Sequence, residues 1–502
     1  MRTFFGHPVA LSTLFFTEMW ERFSYYGMRG ILILFMTATV AQGGLGFSTE
    51  QAGAIYGTYV AMVYMMTLAG GWVADKLLGL RRSVFWGGVL IMLGHLSLAV
   101  PSTQFFYFGL VLVVLGTGLL KGNISAIVGQ LYENDDAKRD AGYSLYYMGV
   151  NLGGALGPLV CGWLAQQPYF QAKLVAWGID PRSAWHFGFG AAAVGMFFGL
   201  IQYLYGQKRL PEKSIAAAGA TTPEARAKAR RQFGWAAGFT LVAVAAVLLL
   251  ARQGVIAITP TGVGLFFDVL ITLTVVGFFG WLFLSADWSR DERKRLVVIF
   301  VLFLGAAVFW AGFEQAGSTL NLFAQRNTAN TLLGWAYPAS WLQSVNSIFI
   351  IIFAPIFAWL WTALRHRDPS SPTKFTLGLL LLAVAYGVMV VAAMRSSNGT
   401  LVSPMWLIAV YLLQTFGELC LSPVGMSAMS RLAPVRVSGL MFGVWFLASS
   451  VGNKIAGRVG GLYESFSLPA IFGANSLFVL VFAIGMALLI VPIKRMLAAR
   501  EA

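Results

Sequence analysis

Charged residues are scarce in this chain, and histidine and cysteine are scarcer still. Asp, Glu, Lys and Arg make up 11% of its 502 residues, and the chain has four His and two Cys. Cys161 and Cys420 lie far apart within apolar runs, so the sequence contains neither a disulfide framework nor a metal-ligand spacing. No nucleophile and base stand in a catalytic pattern. We therefore expect no cofactor, no metal and no enzymatic activity.

Apolar residues dominate instead. The chain is 58% hydrophobic, and runs of about 20 mostly apolar residues, the length needed to cross a bilayer, recur from residue 11 to residue 493. The net charge of +15 could indicate nucleic-acid binding, but the basic residues cluster between apolar runs, as the positive-inside rule requires. We expect a membrane protein whose partner is the lipid bilayer and that binds no nucleic acid.

The hydrophobic pattern predicts fourteen spanning helices, the first of them retained rather than cleaved as a signal peptide. Their approximate ranges are 11–40, 52–75, 83–100, 104–131, 141–166, 184–206, 233–251, 262–285, 296–324, 340–364, 375–395, 404–432, 436–462 and 469–493. Lys76, Arg81 and Arg82 follow the second span, whereas the breaks at 41–51 and 101–104 contain no Lys or Arg. This asymmetry predicts cytoplasmic termini.

The longest polar break divides the chain. Residues 207–232 are rich in Ala, Pro and charge, which favours a cytoplasmic connector over a packed element. If the two spans in 233–285 form an accessory hairpin, six helices remain on either side, as in transporters built from repeated bundles. We therefore predict an N-terminal bundle at 1–206, a linker with two accessory helices at 207–295, and a C-terminal bundle at 296–502.

The first span carries a cluster of charges. Glu18, Arg22, Tyr25 and Arg29 follow helical spacing, and Glu21 lies beside them. A charge at the bilayer centre costs roughly 2.5–3.5 kcal/mol, so this face must meet protein or water. The plainer interpretation is an ion pair that neutralises itself within the helix. The alternative is a functional site.

Counting about 1.5 Å per residue places other ionisable groups at matching depths. Glu21 and Lys121 fall at one level, Arg29 and Glu314 at another, and Glu418 lies near the middle of its span. A carboxylate whose cationic partner can leave has a device for exchanging a proton, because its pKa rises when the partner is lost. These depths favour a coupling site.

Six segments together resemble the proton-dependent oligopeptide transporter family within the major facilitator superfamily; one of them, 71–82, resembles a motif of the superfamily as a whole. The most specific is Glu18-x-x-Glu21-Arg22-Phe23-x-Tyr25-Tyr26-Gly27, and the others are 71–82, 143–158, 309–315, 411–425 and 443–453. The resemblance implies an all-α membrane protein with the major facilitator fold, two six-helix bundles plus two accessory helices. It also implies a monomeric, proton-coupled importer of di- and tripeptides in the bacterial inner membrane, working by alternating access.

The same resemblance implies roles for individual residues. Proton coupling would involve Glu18, Glu21, Arg22 and Glu314. Arg22 and Lys121 would face the peptide carboxylate, while Asn151, Asn346 and Glu418 would hold its ammonium end. The full set of expected substrate contacts is Arg22, Tyr26, Tyr64, Lys121, Asn151, Trp310, Glu314, Asn346, Glu418, Trp445 and Ser449. Animal members use a histidine in the second helix, and the 52–75 span has none, so carboxylates should carry the coupling.

Gating roles are implied as well. They are Arg29 with Glu314 on the outer side, Lys121 with Glu418 on the inner side, and Asp75 with Arg81 and Arg82 as a cytoplasmic latch. By contrast, we interpret Lys454 and Arg458 as side chains that extend to the lipid headgroups.

Other functions remain open. Some relatives carry nitrate or another small solute, and a channel would conduct without a proton gradient.

Overall fold

In the computed structural model the chain is almost entirely helical. The structure describes residues 3–132, 136–219, 222–284, 288–332, 334–434, 437 and 440–498. Within these ranges fourteen helices have 19 residues or more, and eleven helical segments are long and apolar enough to cross a membrane. Ala10–Thr37 is not among the eleven, since it carries the charges described above. The all-α membrane class is confirmed, and the helix count agrees with the predicted number of spans.

The helices are numbered in chain order, with the four two-residue strands forming two small antiparallel hairpins. The helices are α1 (Ala10–Thr37), α2 (Thr49–Val73), α3 (Leu80–Leu98), α4 (Thr103–Gln130), α5 (Asp136–Gln166), α6 (Pro168–Ala176), α7 (Ala184–Gly206), α8 (Pro223–Arg252), α9 (Pro260–Leu284), α10 (Arg290–Phe313), α11 (Thr319–Arg326), α12 (Ser344–Leu364), α13 (Ser371–Ser396), α14 (Met405–Leu432), α15 (Met441–Gly461) and α16 (Leu468–Ala498). The strands are β1 (Thr3–Phe4), β2 (His7–Pro8), β3 (Thr331–Leu332) and β4 (Trp335–Ala336).

The connector is shorter than predicted. Helix α8 begins at Pro223, so residues 223–232 are helical rather than part of the connector. The Thr222 hydroxyl caps this helix by accepting from the Ala225 amide at 3.2 Å, and proline suits the first helical position. Nearly all of α8 is exposed, so it does not pack as a core element.

The predicted span at 296–324 is also different. Helix α10 begins earlier, at Arg290, where Ser289 and Glu292 form a capping box. It ends at Phe313, a 3₁₀ turn follows at Glu314–Gly317, and α11 continues from Thr319. This break is a local change of helix type that hydropathy does not reveal.

We infer from the order of the fourteen long helices and the short connections between them that successive helices run in opposite directions, which brings Ala10 and Ala498 to the same end of the molecule. We call this end the terminal face, and the opposite end, with Thr37 and Thr49, the far face. Helix α1 packs with α5 and α7, while α13 packs with α14 and α16. The two halves meet chiefly where α2 contacts α15 and where α5 contacts α12. The three predicted domain boundaries stay predictions.

Glycines let α1 lie close to α5. Gly149, Gly153 and Gly157 recur every four residues and face the backbone of α1, where a Cβ at Gly149 would lie 3.0 Å from the Phe15 carbonyl oxygen. On α1, a Cβ at Gly27 would lie 2.5 Å from the Cys161 sulfur. Small residues of this kind permit close helix packing inside a membrane. They fix the charged helix firmly within its bundle.

We predict that Gly157→Val destabilises the protein, because its side chain would overlap the α1 backbone. Overpacking of this kind typically costs about 1–3 kcal/mol. The apparent melting temperature in detergent should fall by several degrees. Gly485→Val is the matched control, since no atom lies within 4 Å of a Cβ built there. Equal melting of the two variants would contradict this account of the α1 and α5 contact.

Candidate functional site

Two carboxylates share one guanidinium in the middle of α1. Glu18, Glu21 and Arg22 are 3%, 0% and 2% exposed. The Arg22 Nε donates to Glu18 Oε1 at 2.9 Å and lies 2.6 Å from Glu21 Oε2, a contact of opposite charges without the direction of a hydrogen bond. Neither Glu21 oxygen has a hydrogen-bond partner in the described part of the chain. One cation cannot neutralise two ionised carboxylates, so the cluster is not a self-contained ion pair.

A second cation reaches this cluster from α4. Lys121 lies within electrostatic range of both Glu21 and Arg22, as the matching depths predict. Its ammonium group stands 3.8 Å from the ring centre of Tyr64 and 5.8 Å from that of Phe446. Aromatic faces stabilise a cation without binding it to a fixed anion. Lys121 is therefore held beside the carboxylates but remains available to another anion.

The expected pair of Arg29 and Glu314 is formed. Arg29 Nη2 lies 2.5 Å from Glu314 Oε2, its Nε donates to the Tyr56 hydroxyl at 2.6 Å, and both charged groups are buried. Glu314 reaches this position because α10 ends at Phe313 and the 3₁₀ turn redirects the chain. The pair joins α1 of the first half to α10 of the second.

Glu418 of α14 lies among amides and a phenol. Asn346 of α12 donates to Glu418 Oε2 at 3.3 Å and to the Thr415 hydroxyl at 3.0 Å. Tyr147 of α5 faces Glu418 from the other half, and Asn151 donates to the Tyr147 backbone oxygen at 3.0 Å. Asn346 thus contacts Glu418 directly. Asn151 lies one helical turn after Tyr147, the residue that faces Glu418.

Tyr26 connects these groups. It lies within electrostatic range of Arg22, Arg29, Glu314 and Glu418. The five residues come from α1, α14 and the turn after α10, so Tyr26 links the Arg22 cluster to the Arg29 and Glu314 pair and to Glu418. The charges singled out from the sequence therefore converge rather than scatter toward lipid.

Tryptophans line the second half of this region. The rings of Trp310 and Trp445 stand edge to face with centres 6.4 Å apart, and both are buried. The indole Nε1 of Trp310 has no partner among the described residues. Ser449 lies one turn after Trp445 and donates to its backbone oxygen at 3.3 Å. A buried, unpaired N–H is costly, so a ligand acceptor would be favourable here.

Two expected gating contacts are not formed. Among the ion pairs of the described residues, Lys121 is not joined to Glu418, and Asp75 is not joined to Arg81 or Arg82. Asp75 is exposed. Arg81 instead donates to the Leu210 backbone oxygen and, at 2.8 Å, to the Ser214 hydroxyl, so it holds the connector.

Our interpretation of Lys454 and Arg458 was wrong. Neither simply extends to headgroups, because both contact the Asp268 carboxylate of α9, and Lys454 also donates to Thr58 at 2.6 Å. Asp268 was not among the residues predicted from the sequence. Its signal was a single acid within an otherwise apolar span, which is expensive unless paired. Tyr56 and Tyr147 were missed as well, since nothing distinguishes them from other tyrosines.

Two hydrogen bonds between the two halves lie toward the far face. Asn321 donates to the Gly30 backbone oxygen at 2.8 Å, and Gln166 accepts from the Ser340 hydroxyl at 2.7 Å. Together with the Arg29 and Glu314 pair, these bonds close the far end of the molecule.

Known proteins of similar sequence and structure are transporters. A peptide transporter, YePEPT, of Yersinia enterocolitica subsp. palearctica is 43% identical, with 99% of this chain and 96% of that protein covered. A di-/tripeptide transporter of Lactococcus lactis subsp. cremoris is 37% identical over 99% and 98% of the two chains. The crystal structure of a peptide transporter POT in complex with sulfate matches with a TM-score of 0.90 at 38% identity, covering 99% of this chain and 97% of the other.

The family model of the POT family matches residues 81–476. This range includes most of both halves, and the relatives above extend the similarity over nearly the whole length. With the fold and the charged cluster in place, this chain belongs to the POT family of membrane transporters.

Proposed function

We propose that this chain is a proton-coupled symporter that imports di- and tripeptides by alternating access. The observation that carries the proposal is that Glu21, Arg22 and Lys121 lie within electrostatic range of one another while Tyr26 links Arg22 to Glu418, so that two cations and two acids are connected across the two halves. Its relatives include proteins named peptide transporter and di-/tripeptide transporter.

A small peptide carries a carboxylate at one end and an ammonium group at the other. Arg22 and Lys121 would bind the carboxylate through charge-assisted hydrogen bonds, while Glu418, Asn346 and Asn151 would accept from the ammonium group. Anchoring both ends gives affinity without selecting a side chain. A simple anion such as nitrate would use only the cationic end, so the opposed charges favour a zwitterion.

The space between the anchors suits variable side chains. Tyr26, Tyr64, Trp310 and Trp445 present aromatic faces, and Ser449 adds a hydroxyl beside them. Aromatic walls pack against side chains of different shapes at low conformational cost. Glu314, within electrostatic range of Tyr26, would complete the acidic side of the site.

Proton coupling would arise from competition for Arg22. When Glu18 and Glu21 are both ionised, they hold the Arg22 guanidinium, as in this structure. Protonation of Glu21 removes one competitor and frees Arg22 for the peptide carboxylate. Glu314 is the second candidate, since its protonation would release Arg29.

The conformational cycle would exchange the two gates. Arg29 and Glu314 hold the far face closed in this structure, while Lys121 and Glu418 are apart. Bringing Lys121 to Glu418 would close the terminal face as the far face opens. The basic clusters at the terminal face support a cytoplasmic orientation of that face in a bacterial inner membrane, by the positive-inside rule. The membrane potential, worth about 2.3 kcal/mol per charge per 100 mV, would then drive uptake by a monomer.

We predict that Glu21→Gln abolishes proton-driven accumulation of a labelled dipeptide in proteoliposomes, because glutamine cannot cycle a proton. Accumulation under an imposed pH gradient should fall at least about tenfold, a cautious minimum beside the roughly 10²–10⁴-fold contribution of a side chain that transfers a proton. Exchange of labelled for unlabelled dipeptide without a gradient should persist. Glu50→Gln, an exposed acid at the start of α2, is the control and should accumulate normally.

Full accumulation by Glu21→Gln would eliminate Glu21 as the coupling site. Uptake that nitrate blocks but other dipeptides do not would contradict the proposed substrate class.

We predict that Lys121→Gln weakens binding of a dipeptide about tenfold or more, since it removes a charge-assisted hydrogen bond worth roughly 1.5–3 kcal/mol. The C-terminally amidated dipeptide has no carboxylate, so its affinity should change much less. Binding to purified protein, measured by calorimetry with both ligands, gives the comparison. An equal loss for the two ligands would show that Lys121 does not face the carboxylate.

A further inference from the structure

Asp268 is the single charged residue of α9, the second accessory helix. It lies eight residues after Pro260, at a depth of roughly 12 Å from the far end of that helix. An acid in such a position is expensive unless it has cationic partners. Helix α8, by contrast, is almost entirely exposed and touches mainly the turn after α2 at residues 74–78, so α9 provides most of the contact between the accessory hairpin and the bundles.

The partners of Asp268 lie on α15. Lys454 Nζ stands 3.3 Å from Asp268 Oδ1, and the Arg458 guanidinium contacts Asp268 Oδ2. Lys454 is buried and also donates to the Thr58 hydroxyl of α2 at 2.6 Å. One small cluster therefore joins three helices: an accessory helix, a helix of the first half and a helix of the second.

These three helices meet where the far face is closed. Gly57 of α2 packs against α15 so closely that a Cβ on it would lie 2.9 Å from the Gly457 Cα. Helix α9 packs on α2 beside this point, and a Cβ on Gly264 would lie 3.3 Å from the Ala54 Cβ. Opening the far face must separate α2 from α15. Because α9 packs mainly on α2, Asp268 would then lose Lys454 and Arg458.

We propose that Asp268 is a positioning residue for closure of the far face. Through Asp268 the accessory hairpin holds α15 against α2 and favours the state that is closed at the far face. The inference rests on the alternating access of the proposed function. Asp268 would act beside the Arg29 and Glu314 pair as a second ionic tether across the two halves. Removing its charge would leave the buried Lys454 ammonium without an anionic partner, which raises the free energy of the closed state.

Spin labels on the two halves test this directly. Val40 and Phe466 are exposed at the far face on the first and second halves. The labels are attached to Val40→Cys and Phe466→Cys in a background of Cys161→Ala and Cys420→Ala, which removes the two native thiols. Pulsed electron resonance in lipid nanodiscs then measures the distance between them. Asp268→Asn should raise the ratio of the far-open to the far-closed population at least about fivefold, the lower end of typical coupling.

The control is Asp180→Asn. Asp180 pairs with Arg182 in the same far-face loop of the first half. Removing the Asp180 charge therefore breaks an ion pair but no contact between the two halves. It should leave the distance distribution unchanged. In a background of Lys454→Gln with Arg458→Gln, Asp268→Asn should have no further effect, which a general loss of stability would not produce.

Unchanged populations in a folded Asp268→Asn protein would overturn the proposal. If that variant does not fold, Arg458→Gln serves instead, since the Arg458 side chain is 40% exposed, and it must shift the populations in the same direction. A parent protein that shows a single far-face distance at every pH and with or without dipeptide would contradict the proposed function itself. Two populations whose ratio does not change in the Asp268→Asn protein would contradict only this inference.

Discussion

The central constraint is the cost of charge inside a membrane. Each buried ionic group must keep a partner, and the partners of one conformation must be replaced in the next. Here Arg22 is shared by Glu18 and Glu21, while Lys121 rests on the face of Tyr64. Such incomplete pairing makes the cluster responsive, because a proton or a zwitterion can change which pairs form.

The sequence reveals this cluster because charge is so rare in it. Four charged residues in the first span cannot face lipid, and helical spacing puts them on one stripe. Comparing the depths of residues in their helices also predicted the pair of Arg29 and Glu314. The pair forms although α10 starts six residues before the predicted position and ends just before Glu314. The pair could be predicted because a charge inside the membrane has few possible partners. The prediction therefore tolerates errors of several residues in the helix boundaries.

Other features depend on tertiary contacts that periodicity does not encode. The gate state is one, since Lys121 could equally meet Glu418 or, as here, an aromatic face. The partners of Lys454 are another, because Asp268 lies 186 residues earlier in a helix outside both bundles. A lysine near a helix end is consistent with either a headgroup or a buried acid. Only the packing of α9 on α2 distinguishes the two.

The exchange of gate partners requires a second state, in which the far face is open. A structure of the protein with its far face open would measure both gates at once. Arg29 and Glu314 should then lie beyond about 4 Å, the usual limit of an ion pair, while Lys121 and Glu418 lie within it. An open far face with Arg29 and Glu314 still joined, or with Lys121 and Glu418 still apart at a closed terminal face, would contradict the exchange of partners.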